Sequence, residues 1–245
     1  MLKFFRKIRQ NLIDKGDAKR YLLYAIGEIL LVVIGILIAL QINNWNEESK
    51  NRTKELSNLK SFRQELVTNK ALFQRVHQIR LKALAPSTSF QEQLKAGKPT
   101  HKQFTSTMIS IGPSTTHPVN GVLNTLISSG EVNLIQPDSL KYAITNWKDA
   151  ANSYLSHETA FMGMITRIWH FGQDHLPGWD WTDYSEKQRA TIILKKVNTI
   201  PYRQRFNAYY QNLLGLIKRH DKIEADINRL LQKIDLRILE LENKQ

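Results

Sequence analysis

Residues 21–42 read YLLYAIGEILLVVIGILIALQI, with a single charged side chain at Glu28. A helix needs about 20 mostly apolar residues to cross a hydrocarbon core of ~30 Å, and this run is long enough. A helix buried in a soluble protein is rarely apolar on every face over so many turns. The composition therefore predicts a transmembrane helix over residues 21–42. Tyr21 and Tyr24 mark one end and Trp45 the other, where amphipathic rings favour the membrane interface.

The flanking charges set the expected orientation. Residues 1–20 hold seven basic side chains (Lys3, Arg6, Lys7, Arg9, Lys15, Lys19, Arg20) against Asp14 and Asp17, a local net of +5 out of +13 for the whole chain. Basic residues beside a span are retained in the cytoplasm, so residues 43–245 are expected outside it. A cleavable signal peptide would have a shorter apolar region ending in a small-x-small site, whereas this run ends Ile38-Ala39-Leu40-Gln41-Ile42-Asn43. The sequence favours an uncleaved anchor in the inner membrane, with a periplasmic domain beyond it. Leu2, Phe4, Phe5, Ile8, Leu12 and Ile13 lie among the basic residues. That pattern suits either a helix lying on the cytoplasmic leaflet or a frayed basic tail.

Within the span, Ala25, Glu28, Val32, Gly35 and Ala39 fall at three- and four-residue steps and share a helix face. Gly35 and Ala39 form a small-xxx-small pair, which lets helices approach closely in lipid. An intramembrane carboxyl is costly and usually faces protein or water. The stripe is a candidate transmembrane interface, and Glu28 is a candidate for proton coupling. The bland alternative has Glu28 reaching for the headgroups.

The remaining chain predicts helices only. Leu59, Phe62, Leu66, Phe73 and Val76 keep helical spacing, widened by Leu56, Leu72 and Ile79, with Pro86 expected to end the pattern. At the other end Leu213, Leu216, Ile217, Ile223, Ile227, Leu230, Leu231, Ile234, Ile238 and Leu241 form a heptad-like stripe interrupted by His220 and Arg237. Pro201 suits the first turn of that helix. The two long helices satisfy each other if antiparallel, either within one chain or between copies. Between them, a helix near 119–129 is expected to end at Gly130. A longer one follows from about Ser139 to Trp169, with Leu140, Ile144, Trp147, Ala151, Tyr154, Phe161, Ile165 and Ile168 inward. Ser185-Glu186-Lys187-Gln188 predicts a capping box. The expected fold is all-α: one N-terminal transmembrane helix, then an elongated helical bundle with long coiled-coil-like first and last helices. Its expected parts are a basic segment 1–20, a span 21–42, a stalk helix 43–85, central short helices 86–200 and a C-terminal helix 201–243.

Two stretches carry a resemblance. YAIGEILLVVIGILIALQINNWNE (24–47) and the later LISSGEVNLI (126–135), followed by Leu140 and Tyr142, resemble a family of uncharacterised single-pass membrane proteins common in Bacteroidetes. The resemblance is sharp over residues 1–48. It implies an inner-membrane anchor and a periplasmic domain, and supplies no catalytic residues.

Signatures of known chemistry are absent from the sequence. There is no cysteine, so no thiolate nucleophile or disulfide. No P-loop, dinucleotide-binding, nucleophile-elbow or zinc-protease pattern occurs. His170, Asp174 and His175 are close, but their spacing matches no standard metal site. The pair His157-Glu158 falls on the inward side of the central helix and is a weak candidate for chemistry. Trp179 and Trp181, in FGQDHLPGWDWTDY (171–184), form a candidate ligand or partner loop, or a plug for the end of the bundle. No catalytic residue, metal or cofactor is expected, and no enzyme. Nucleic acid is excluded because the basic surplus of residues 43–245 lies beyond the membrane and no recognition motif accompanies it. The expected partners are the lipid bilayer and either a second copy or another membrane protein. The leading expectation is a membrane-anchored periplasmic interaction or scaffold protein. The alternatives are a sensory or ligand-binding domain working with a separate signalling partner, since residues 1–20 are too short for an output domain, and a proton-coupled subunit using Glu28.

Overall fold

The computed structural model describes residues 18–177 and 181–243. Six α-helices occur among them: α1 (Ala18–Lys95), α2 (His101–Ser110), α3 (Gly121–Ser128), α4 (Asp138–His175), α5 (Glu186–Ile192) and α6 (Ile200–Glu242). A 3₁₀ turn at Glu131–Leu134 and a π turn at Ile193–Val197 complete the described secondary structure, and no strand occurs among the described residues. The all-α expectation holds.

Two compact units divide the chain, Met1–Lys54 and Glu55–Gln245. The described part of the first is helix alone. None of its apolar run is buried. The large apolar side chains from Leu22 to Ile42 are between 46% and 73% exposed. By length and composition this one segment suffices to cross a membrane.

The second unit is built on three long helical stretches: the later part of α1, α4 and α6. Contacts along α1 climb as those along α6 descend. Arg63 meets Asp235, Gln74 meets Glu224, His77 stacks on His220, and Gln91 donates to Asn207. The two helices are therefore antiparallel within one chain, each burying the other's apolar stripe. Helix α4 runs parallel to α1, since Phe73 packs edge-on to Trp147 and Tyr154, and Arg80 reaches Glu158.

Two expectations about α1 need correction. Pro86 does not end it; the helix continues to Lys95. A proline inside a helix costs ~3 kcal/mol through a lost hydrogen bond and a steric clash. Beyond it, however, Ser87, Phe90 and Leu94 are fully buried, and two such apolar side chains alone contribute a comparable amount. The Pro86 carbonyl also accepts from Gln103 Nε2 and Thr107 Oγ1 of α2. The real end is a Schellman motif: Gly97 takes a positive φ of 71°, its N–H bonds the Leu94 carbonyl, and the Lys98 N–H bonds that of Gln93. Central short helices thus begin at His101, and α4, spanning Asp138–His175, is not short. Secondly, Ile79 is exposed, and Arg80 takes the buried position beside it. The buried sequence 73, 76, 80, 83, 87, 90 and 94 keeps three- and four-residue steps, from which Ile79 is one residue, or about 100°, out of phase.

The expected inward residues of α4 are all buried, and so is most of the α6 stripe, with Ile217 and Leu231 partly covered. Gly130 adopts a positive φ of 74° just past α3, and the capping box at Ser185 and Gln188 forms at the start of α5.

Candidate functional site

The core of the bundle is not continuous. One apolar cluster gathers Leu56 to Phe73 of α1, Leu140 to Tyr154 of α4 and Ile223 to Leu241 of α6. A second gathers Ala83 to Leu94, Phe161 to Phe171 and Tyr202 to Leu216. Between them lies a polar layer made by His77 and Arg80 of α1, Tyr154 and Glu158 of α4, and His220 of α6.

Arg80 and Glu158 are 1% and 2% exposed and form an ion pair. Burying two charges is tolerable only when their remaining hydrogen-bonding capacity is met. Here most of it is. Arg80 also donates to Tyr154 Oη at 2.6 Å and the Ser114 carbonyl at 2.7 Å. Glu158 accepts from the Thr116 N–H and Oγ1, each at 2.8 Å. Both charges thus grip the non-helical segment between α2 and α3, so the pair acts as a clamp on residues 114–116. Burial raises the pKa of Tyr154, which keeps its hydroxyl protonated at neutral pH.

Beside the clamp, the imidazoles of His77 and His220 stack with ring centroids 3.8 Å apart and planes 10° from parallel. Desolvation pushes both pKa values below the ordinary 6.5, and His77 lowers that of His220 further; Asp221 and Glu224 pull upward, and Arg80 adds a downward push weaker than the pull of Asp221. The rings are therefore neutral at pH 7. Neither Nδ1 has a hydrogen-bond partner among the described residues.

Other buried carboxylates and amides of α1 hold the connecting segments. Glu65 accepts from the Val122 and Leu123 N–H groups, capping α3 from across the bundle. Asn69 pairs with both backbone groups of Val119. Glu55 takes a two-pronged bond from Arg237 and a third from the Gln136 N–H, all at 2.8 Å. The two interruptions of the α6 stripe, His220 and Arg237, thus each meet a polar side chain of α1, His77 and Glu55.

An apolar cavity of about 240 Å³ opens between α2, the end of α4 and the start of α6. Phe104, Met108, Ile168, Trp169, Gly172 and Tyr202 line it. Tyr202 is fully buried, and burial raises its pKa strongly. Its hydroxyl and the Trp169 indole N–H have no hydrogen-bond partner among the described residues.

The sequence-derived candidates fall elsewhere. Ala25, Glu28, Val32, Gly35 and Ala39 do share a face of α1, where Ala25 and Glu28 are half-exposed and the others exposed. A Cβ at Gly35 would meet nothing within 4 Å. Trp181 is buried in the second core cluster, edge-on to His101, while Trp179 lies outside the described residues. Of the pair His157-Glu158, only Glu158 is buried; His157 Nδ1 turns to the Ser153 carbonyl. His175 stacks on Phe171, and no group of three metal-ligating side chains gathers among the described residues.

A family model matches residues 28–159, more than half of the chain. The chain belongs to DUF6090, a family of unknown function. The DUF6090 match starts inside the apolar segment of α1 and closes one residue past Glu158, so it contains every member of the Arg80 clamp and stops short of α6. No curated protein and no solved structure matches this DUF6090 chain.

Proposed function

We propose that this chain is a membrane-anchored interaction module: residues 21–42 span the inner membrane, residues 1–20 stay in the cytoplasm, and the helical bundle works in the periplasm as a scaffold or complex subunit. One observation carries the reading. Fourteen large apolar side chains between Leu22 and Ile42 lie open, while the unit from Glu55 closes a core of its own. Leaving that many such residues in water costs on the order of 20 kcal/mol, more than the whole stability of an ordinary domain. Lipid, or lipid with a partner helix, is the surrounding that removes the cost. The basic segment 1–20 supports the orientation, and the face carrying Gly35 and Ala39 supports close approach of a second helix.

The test is disulfide cross-linking in native membranes, in a chain that has no cysteine of its own. Cysteines at Val32 or Gly35 are expected to give dimer or a discrete hetero-complex in higher yield than cysteines at Val33 or Leu37. Equal yields from all four positions would overturn the association, and release of the chain by alkaline carbonate would overturn the anchor.

A second reading, a ligand-binding or sensory domain working with a separate signalling partner, is favoured by the cavity beside Tyr202. Pockets for small molecules are concave, mostly apolar and furnished with a few polar groups, which describes this one.

A further inference from the structure

We propose that the seam between α4 and α6, over residues 143–157 and 219–233, is a docking surface for an acidic amphipathic helix of another protein. The proposal rests on the interaction-module reading and names the partner's chemistry.

Three long helices make three seams, and two of them are closed. Between α1 and α6, Lys60 pairs with Glu242, Arg63 with Asp235 and Arg237 with Glu55, and Gln74 donates to Glu224. The segment 114–136 lies over the seam between α1 and α4, held by Glu55, Glu65, Asn69 and Arg80 of α1 and by Glu158 of α4. Between α4 and α6, no hydrogen bond or ion pair joins the two helices among the described residues. What is left there is a trough, two adjoining hollows of about 250 and 130 Å³ that share Ala150 and Asp226. Residues 143–157 run ~21 Å along α4, room for about four turns of a docked helix.

The charges decide the partner. Arg219, Lys222, Arg229 and Lys233 stand exposed on the α6 side of the trough. The one carboxylate lining it, Asp226, pairs with Arg229 of its own helix, and the other three cations have no ion pair among the described residues. The carboxylates of α6 at Glu224, Asp235 and Glu242 turn instead to α1, where they are matched. The two flanks of α6 thus carry opposite charge, and only the basic flank is unanswered. On the α4 side Ala143, Asn146, Ala150 and Ser153 bring no carboxylate. A helix laid along such a seam sets its ridge into the groove. Carboxylates three and four residues apart along one edge meet the α6 cations, and its neighbouring apolar face covers the half-buried Ala143 and Ala150. A second copy is a poor match, since the chain carries a net +13 and like charges set face to face suppress association. A polysaccharide or a lipid headgroup would answer the cations and leave the apolar floor open.

The test places the photo-cross-linker p-benzoylphenylalanine at Asn146 or Ser153 of the full chain in its native membrane, with Lys82, exposed on α1, as the position outside the trough. After irradiation of intact cells, Asn146 and Ser153 are expected to give one discrete protein adduct in at least tenfold higher yield than Lys82. The captured peptide should carry Asp or Glu at three- and four-residue spacing. Lys222→Glu combined with Lys233→Glu opposes that edge with like charge and is expected to cut the yield at Ser153 about tenfold. Lys82→Glu should leave that yield unchanged, and both variants should keep the parent melting curve, because the altered side chains are exposed. An adduct with a second copy, with lipid or with polysaccharide, or one indifferent to the reversed charges, would overturn the acidic-helix surface. Yields no higher than at Lys82 would overturn it too. None of these results touches the span, so discrete complexes through Val32 and Gly35 would still support the interaction module; equal yields there as well would overturn both.

Discussion

Arg80 shows what a hydropathy pattern misses at the scale of one residue. The stripe on α1 reads as apolar through Ile79, yet the position that faces inward belongs to an arginine. Its partner Glu158 is 78 residues away and invisible to local spacing. The sequence did place Glu158 on the inward side of α4, but attached it to its neighbour His157 rather than to a cation on another helix. Removing either member leaves the other as an uncompensated buried charge, which costs about 3–5 kcal/mol. Arg80→Met and Glu158→Leu are each expected to lower unfolding free energy by that order in a denaturant titration. Because the two sites are coupled, the double variant should lose clearly less than the two losses added. The stacked histidines give a separate expectation. In the unfolded chain His77 and His220 take up protons as pH falls through the ordinary 6.5; in the folded chain burial holds their pKa values lower. Below 6.5 the unfolded state therefore binds more protons, so this contribution to stability is complete above that pH and declines as the solution is acidified. Thermal melts should be level from pH 8 to 7 and fall from 6.5 towards 5, with a shallower fall in His220→Phe.

Among the elements, the long helices were legible and their joints were not. Three- and four-residue spacing marked the buried apolar positions of α4 up to Ile168 and those of α6 from Leu213 on, because each helix covers an apolar face and spacing reports faces directly; Phe171, Tyr202, Phe206 and Tyr209 were missed. Pro86 misled because proline statistics describe isolated helices, whereas burial of Ser87, Phe90 and Leu94 sustains α1 past it. Pro86→Ala restores an N–H for the helix ladder and is expected to raise stability by about 1 kcal/mol or more, read as a higher melting temperature. The start of α3 illustrates the other gap. Asn120 precedes it without making a side-chain cap, and Glu65 on α1 does so instead. Glu65→Ala should cost about 1–2 kcal/mol. It should also speed hydrogen exchange at the Val122 and Leu123 amides far more than at α6 amides, which a purely global loss would not do.

For the whole molecule, the all-α architecture and the antiparallel match of the two long stripes follow from pattern, since apolar faces of similar length satisfy each other; that they meet within one chain rather than between copies comes only from the contacts themselves. The cavity and the polar layer do not, because both depend on which residues of three separate helices arrive at one level. The proposed function depends on what surrounds residues 21–42. In the proposed topology this segment lies in a bilayer, with residues 1–20 on the cytoplasmic side and the bundle on the other. Because the chain lacks cysteine, single cysteines at Lys3 and at Lys98, an exposed position past the end of α1, report sidedness without background. A membrane-impermeant maleimide is expected to label Lys98→Cys in spheroplasts and Lys3→Cys only after lysis. Labelling of Lys3→Cys in intact spheroplasts, or protection of Lys98→Cys until lysis, would contradict the proposed topology.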